Sequence, residues 1–142
     1  MKKIFIDIGS YTGDTLLLAL KNRYDIIHCF EPVQKHYQKL IAQVAAAGLS
    51  TWVIIHPYGL YSQKMKMDIF AAGSDGASIF QEKKQFQYQN IVEKCYFRRA
   101  SEFFSKFITG DLMNEQIHMK INAEGAEIAI LNDLIVNHQL NK

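Results

Sequence analysis

Lys3-Ile4-Phe5-Ile6-Asp7-Ile8 is a short apolar run, rich in β-branched residues, that stops at Gly9. Such a run predicts a strand buried on both faces, the kind found inside parallel sheets. From Gly13 to Arg23 the chain turns helical, with Leu16, Leu17, Leu20 and then Tyr24 at helical spacing. Thr12 stands where it can cap that helix, and Asp14 suits its positive end. Ile26-Ile27-His28-Cys29-Phe30 predicts a second strand, ending at Glu31-Pro32. Pro32 biases Glu31 away from helical geometry and suits the first turn of a helix. Val33 to Ala47 predicts that second helix, with Tyr37, Leu40, Ile41, Val44 and Ala45 on one stripe and Gly48 as its stop. Trp52 to His56 makes a third strand. Strand, helix, strand, helix, strand within the first 56 residues predicts right-handed βαβ units around a parallel sheet.

The second half has a different grain. Lys64-Met65-Lys66-Met67-Asp68-Ile69 alternates polar with apolar residues, which predicts an antiparallel or edge strand with one wet face. Gly73 to Ser78 reads as a turn-rich loop. Gln81 to Asn90 has no clear period, and the wider aromatic, Gln-rich stretch from Phe80 to Tyr96 reads as polar surface loop, with an acceptor lid as the alternative. Ser101 to Ile108 predicts a short helix, Ile117 to Asn122 a fourth main strand, and Glu124 to Val136 an amphipathic helix carrying Ile128, Leu131, Leu134 and Ile135. No repeat and no long linker divides the chain, so residues 1–142 are expected to form a single Rossmann-like α/β domain with helices on both faces of its sheet. After its last helix such a domain normally returns to the sheet with another strand. Only Asn137 to Lys142 remain, so the expectation is a domain truncated at its C-terminus. Its fourth strand would be an open edge, covered by a partner chain or a second copy, or blunted by His118 and Lys120.

Composition narrows the function classes. A chain of 142 residues has room for one domain, and nine Phe, seven Tyr and 49% apolar residues supply a core for it. A formal charge of +2 leaves no electrostatic footprint for duplex nucleic acid, which needs a concentrated basic face. The longest wholly apolar run, Leu16 to Leu20, is five residues, too short to span a bilayer. Lys2 and Lys3 open the chain, but Asp7 interrupts the apolar stretch before a secretory core forms. Cys29 and Cys95 make neither a disulfide framework nor a metal-binding pair. His36, His56 and His138 show no ligand spacing, so no metal is expected. A soluble cytoplasmic domain is the default.

The chemistry is expected at the carboxyl ends of the strands, where open parallel sheets bind ligands. Asp7-Ile8-Gly9-Ser10-Tyr11-Thr12-Gly13-Asp14 runs from strand one into helix one. Gly9 permits a sharp turn, Gly13 lets backbone approach a ligand, and N–H groups at the helix start can take an anion; an ordinary strand-to-helix turn reads the same way. Glu31 lies 22 positions after Gly9, placed at the end of strand two to accept from both hydroxyls of a ribose. A surface carboxylate before a helix start is the plainer alternative. A dinucleotide fingerprint needs glycine two residues after the first, where this chain has Tyr11, and no GxxxxGK[ST] loop is present. A nicotinamide-dependent oxidoreductase is therefore disfavoured. A nucleoside ligand without a pyrophosphate fits better, and S-adenosyl-L-methionine is the commonest such cofactor. At the end of strand four, Asn122 and Glu124 would emerge beside the Gly9 turn if that strand neighbours strand one.

Taken in order, FIDIGSYTGDT, CFEPVQKHYQKL, PYGLYS and HMKINAEGAEIAIL resemble the FkbM family of S-adenosylmethionine-dependent methyltransferases, from about residue 4 to residue 135. The resemblance implies that Asp7, Gly9, Gly13 and Asp14, with Ser10 and Tyr11 of the same loop, surround the methionine part of the cofactor. It implies that Glu31 holds the ribose and that Tyr58-Gly59 lies near the adenine. The family's fourth-strand motif reads K-I-D-V-E-G-A-E. This chain keeps Lys120, Ile121, Glu124, Gly125, Ala126 and Glu127, but has Asn122 for Asp and Ala123 for Val. Arg98 to Phe104 also departs from the family's T-L-D-D-L stretch, keeping Glu102 of its acidic pair. Asn122 can hydrogen-bond but cannot usefully accept a proton, which leaves Glu124 as the expected general base. The implied activity is O-methylation of a hydroxyl on a small molecule or sugar. The alternative is a catalytically degenerate relative that binds the cofactor as a partner subunit.

Overall fold

The computed structural model describes residues 1–72, 77–79, 91–108 and 114–140. The elements run β1 (Lys2–Ile8), α1 (Asp14–Lys21), β2 (Ile26–Phe30), α2 (Gln34–Ala46), β3 (Val53–His56), β4 (Gly59–Tyr61), β5 (Met65–Phe70), β6 (Val92–Arg99), α3 (Ala100–Phe107), β7 (Glu115–Ile121) and α4 (Glu127–Val136). Four strands form a wholly parallel sheet in the order β3-β2-β1-β7. Its inner strand β1 is buried from Ile4 to Ile8, the polar Asp7 included, as its mostly apolar run predicts.

The two faces of that sheet separate by the period of two along each strand. Ile4, Ile6, Ile8 and Phe30 pack on one face with Ala100, Phe103 and Phe104 of α3 and Ile130 and Leu134 of α4. Phe5, Ile27 and Cys29 pack on the other with Leu16 and Ala19 of α1 and Leu40 and Val44 of α2. The result is a mixed α/β fold with helices against both faces of a parallel sheet. β7 pairs with β1 and, among the described residues, with no other strand. His118 sits exposed on this outer strand, with Nδ1 2.5 Å from the Tyr24 hydroxyl and Nε2 3.2 Å from Gln116.

A second sheet has the order β4-β6-β5. β5 runs antiparallel to β6, as its alternating pattern predicts. Its other two strands are additions to the sequence reading. β6 begins inside the stretch expected to be loop as far as Tyr96, because Cys95 and Phe97 are buried while Lys94 and Tyr96 are exposed. That is a strand period, obscured by aromatic residues on both parities. β4 has only three residues, too few to show a period at all. Of the loops expected at 73–78 and 81–90, residues 73–76 and 81–90 lie outside the described residues.

Two helix starts also differ from expectation. Gly13, not Thr12, occupies the N-cap of α1, in a left-handed conformation (φ 97°) with no side-chain cap. α4 starts at Glu127 rather than Glu124, because Glu124 (φ 47°) and Gly125 (φ 112°) turn the chain before it becomes helical.

Candidate functional site

The carboxyl ends of β1, β2 and β7 meet around one cleft. Gly9 and Tyr11 line it from β1, Glu31, Pro32 and Val33 from β2, and Asn122, Ala123 and Glu124 from β7. His36 enters from the first turn of α2, and Gly59, Leu60, Ile69 and Phe97 supply an apolar wall from the second sheet. The enclosed part is small, about 70 Å³, and the empty space reaches about 590 Å³ when the open mouth is included.

Backbone hydrogen bonds lace these strand ends together. The N–H groups of Gly9 and Ser10 both donate to the Phe30 carbonyl, at 3.1 and 3.0 Å, and Asn122 N–H donates to the Ile8 carbonyl at 2.9 Å. Gly9 has φ +79°, and a Cβ there would stand 2.0 Å from the Asn122 carbonyl oxygen. The turn is therefore closed by β7 backbone. Gly13 is fixed in a similar way by α2, since its Cβ would meet Leu40 at 2.8 Å and Gln43 at 3.0 Å.

Glu31 is buried, and both its oxygens accept backbone N–H groups. Tyr11 N–H donates to Oε2 at 2.8 Å and Val33 N–H to Oε1 at 2.9 Å. The first of these bonds holds Tyr11 in a left-handed conformation (φ 53°), which non-glycine residues seldom adopt. Each carboxylate oxygen keeps lone-pair capacity for a further donor. His36 Nδ1 lies 3.7 Å from Glu31 Oε1. Glu124 is also left-handed, and its carbonyl accepts from Ser78 Oγ at 2.8 Å and Ile79 N–H at 3.3 Å.

Asp7 lies outside the cleft lining, fully buried and opposite Lys120 in the β1–β7 register. Lys120 Nζ sits 2.9 Å from Asp7 Oδ1 and donates to the Gly9 carbonyl at 2.9 Å. The contact to Asp7 is an ion pair off hydrogen-bond geometry, since neither carboxylate oxygen has a hydrogen-bond partner. Burial raises the Asp7 pKa above the usual carboxylate value, and Lys120 opposes that rise. Ser10, also buried, donates its hydroxyl to the Asp7 carbonyl at 2.8 Å. Ser10, Gly13 and Asp14 do not line the cleft. Of the sequence candidates, Gly9, Tyr11, Glu31, Gly59, Asn122 and Glu124 do.

Tyr58 stands beside the cleft in a ring cluster. Its hydroxyl is 3.1 Å from His56 Nδ1, and His56 Nε2 is 3.0 Å from His28 Nδ1. Burial lowers both histidines to about 4; Lys2 adds to this for His28, and the His28 and Arg98 charges for His56. Their folded values lie below the unfolded value near 6.5, so the unfolded chain takes up protons first. The stability they contribute is complete above pH 6.5 and declines as pH falls towards 4. Each ring contributes a slope of at most about 1.4 kcal/mol per pH unit. Urea unfolding across pH 7 to 4 should show this decline, flattened in a His28→Phe/His56→Phe variant; equal slopes would refute it.

His36, Val33, Leu60, Ile69 and Phe97 are cleft residues that the sequence reading missed. For His36 a signal existed, because His36, Leu40 and Val44 recur at four-residue spacing and are the buried residues of α2. Among the described residues no group of three or more His, Cys, Asp or Glu is arranged to hold a metal, and no helix is long and apolar enough to cross a membrane.

No protein-family model matches this chain, and no curated protein matches it significantly. A solved structure does. The crystal structure of methyltransferase FkbM from Methylobacillus flagellatus KT superposes with a TM-score of 0.55 at 14% sequence identity. The match covers 96% of this chain and 30% of that one, so this chain spans under a third of the length of the structure it matches. At that identity the likeness is one of fold, and the fold is methyltransferase-like.

Proposed function

We propose that the cleft binds S-adenosyl-L-methionine and that the chain is a methyltransferase acting on a hydroxyl of a small molecule or sugar, a relative of the FkbM enzymes it resembles. The observation that carries this reading is the polarity of the cleft. Its lining includes two carboxylates, Glu31 and Glu124, and no Lys or Arg among the described residues. The N–H groups of Gly9, Ser10 and Tyr11 are all donated within the protein. A pyrophosphate would find no Lys or Arg there and the N–H groups of the Gly9 turn already engaged, whereas a ligand bearing a sulfonium and an ammonium meets favourable charge. The same two facts disfavour a nicotinamide dinucleotide.

Glu31, at the end of β2, would take the ribose, and the apolar wall of Leu60, Ile69 and Phe97 gives the base a surface to lie against. The cofactor supplies an electrophilic methyl group. Positioning is much of the catalysis in such an in-line displacement. Glu124 is assigned the proton of the acceptor hydroxyl, and Asn122 a hydrogen bond that orients one of the reactants.

Calorimetric titration with S-adenosylhomocysteine, beside an NAD control, tests the reading. At a hundred times its dissociation constant the homocysteine compound should stabilise the fold by about 2.7 kcal/mol, a rise in melting temperature of roughly 5–10 °C. NAD should give neither heat nor shift. Binding of NAD, or of neither compound by folded protein, would overturn the assignment.

A further inference from the structure

We infer that His36 is a ligand-binding residue of the cleft, its Nε2 accepting one hydroxyl of a ribose vicinal diol whose other hydroxyl goes to Glu31. The inference rests on the nucleoside reading above and extends it to a residue outside the sequence motifs.

Three observations converge. His36 lines the cleft yet is only 2% exposed, and its Nε2 is a buried polar atom with no hydrogen-bond partner. A buried polar group left without a partner destabilises the fold, so such an atom in a cleft wall points to a partner absent from the free protein. The ring's orientation adds chemistry. In the tautomer whose proton sits on Nδ1, towards the Glu31 carboxylate 3.7 Å away, the Nε2 lone pair is an acceptor. Glu31 is itself an acceptor. Two neighbouring acceptors on one wall suit a ligand with two adjacent hydroxyl donors, and a ribose presents such a pair.

Access involves Tyr11. Its ring stands edge-on to His36, with centroids 4.4 Å apart and planes at 74°. The enclosed space of about 70 Å³ is well below the roughly 300 Å³ at which small-molecule sites begin. A nucleoside therefore uses the open mouth and reaches Nε2 as the half-buried Tyr11 ring turns aside.

The test titrates the full chain and a His36→Leu variant with adenosine, 2′-deoxyadenosine and 3′-deoxyadenosine, and compares melting temperatures without ligand. The variant should bind adenosine about tenfold more weakly. It should lose nothing further towards the one deoxy compound that already lacks the hydroxyl read by Nε2, and about tenfold towards the other. Without ligand its melting temperature should be no lower than that of the wild type, because an orphaned polar atom has been removed. His36→Phe, which keeps a ring against Tyr11 but has no nitrogen, must give the same pattern and serves if the leucine variant does not fold. Equal affinity for adenosine, or the same loss towards all three nucleosides, overturns the His36 assignment and leaves the nucleoside reading standing. Wild-type protein that binds neither S-adenosylhomocysteine nor adenosine overturns both.

Discussion

Gly9→Ala is expected to leave little folded protein. The added Cβ would stand 2.0 Å from the Asn122 carbonyl oxygen and 2.8 Å from its carbon, far inside van der Waals contact. Both neighbours are backbone, so no side-chain rotation relieves the overlap. The left-handed φ of +79° adds strain of about 1 kcal/mol or more. Relief requires β7 to move off β1, which breaks the ladder that runs from Lys2 to Ile8. The combined loss should reach at least about 4 kcal/mol, a large part of the 5–15 kcal/mol that holds a typical domain together. Gly48→Ala is the control. It shares a left-handed φ, +69°, but its Cβ would meet nothing within 4 Å, so only the strain of about 1 kcal/mol applies. Urea midpoints that fall equally in the two variants would show that the clash with Asn122 is not the cause.

That result bears on what the glycines mean. Read from sequence, Gly9 permits a sharp turn and Gly13 a close approach to a ligand, with an ordinary strand-to-helix turn as the alternative. A ligand role for both is what the family resemblance implies. The structure sets a protein neighbour where each Cβ would stand, β7 backbone at Gly9 and Leu40 and Gln43 at Gly13, while Gly9 also lines the cleft. Loss of ligand binding in a Gly9 variant therefore reports on the fold as much as on the cleft.

The parallel sheet was legible because β1, β2 and β3 are dense apolar runs separated by periodic helices, patterns that survive in a single sequence. The position of β7 next to β1 could be posed as a condition and not decided, since pairing is a property of the sheet rather than of either strand. The second sheet was mostly illegible. β6 carries Tyr96 exposed and Phe97 buried side by side, so hydrophobicity alone does not show its period. His36 escaped notice because a histidine on a buried helical stripe looks like ordinary packing. Its significance lies in an unpaired atom that only the folded arrangement reveals. The pairing of Asp7 with Lys120 was hidden for the same kind of reason: 113 residues separate them in the chain, and they meet only through the strand register.

Lys120→Met should expose what that register holds in balance. Asp7 is fully buried, and Lys120 is the cation paired with it. Replacing the lysine leaves a buried carboxylate with no countercharge, a change that typically destabilises by about 3–5 kcal/mol. It also removes the hydrogen bond to the Gly9 carbonyl, so the turn at the cleft loosens with the core beneath it. The dependence on pH separates charge from packing. Burial raises the Asp7 pKa in the folded protein, while Lys120 lowers it through both contact and charge. Without Lys120 the folded pKa climbs further above the unfolded value, so the folded state holds the proton more tightly than the unfolded chain. Stability is then gained as pH falls through the folded pKa and lost as pH rises. The deficit of the variant relative to wild type should accordingly be largest at pH 7–8 and shrink towards pH 4. Taking the difference at each pH removes the contribution of His28 and His56, which changes in the opposite direction in both proteins. Asp7→Asn placed in the Lys120→Met background should recover much of the loss at pH 7, because the group left in the core is then neutral. A deficit that stays constant across the pH range, with no recovery in the double variant, would mean that Lys120 acts through its alkyl packing and its bond to Gly9, and that Asp7 does not need its charge.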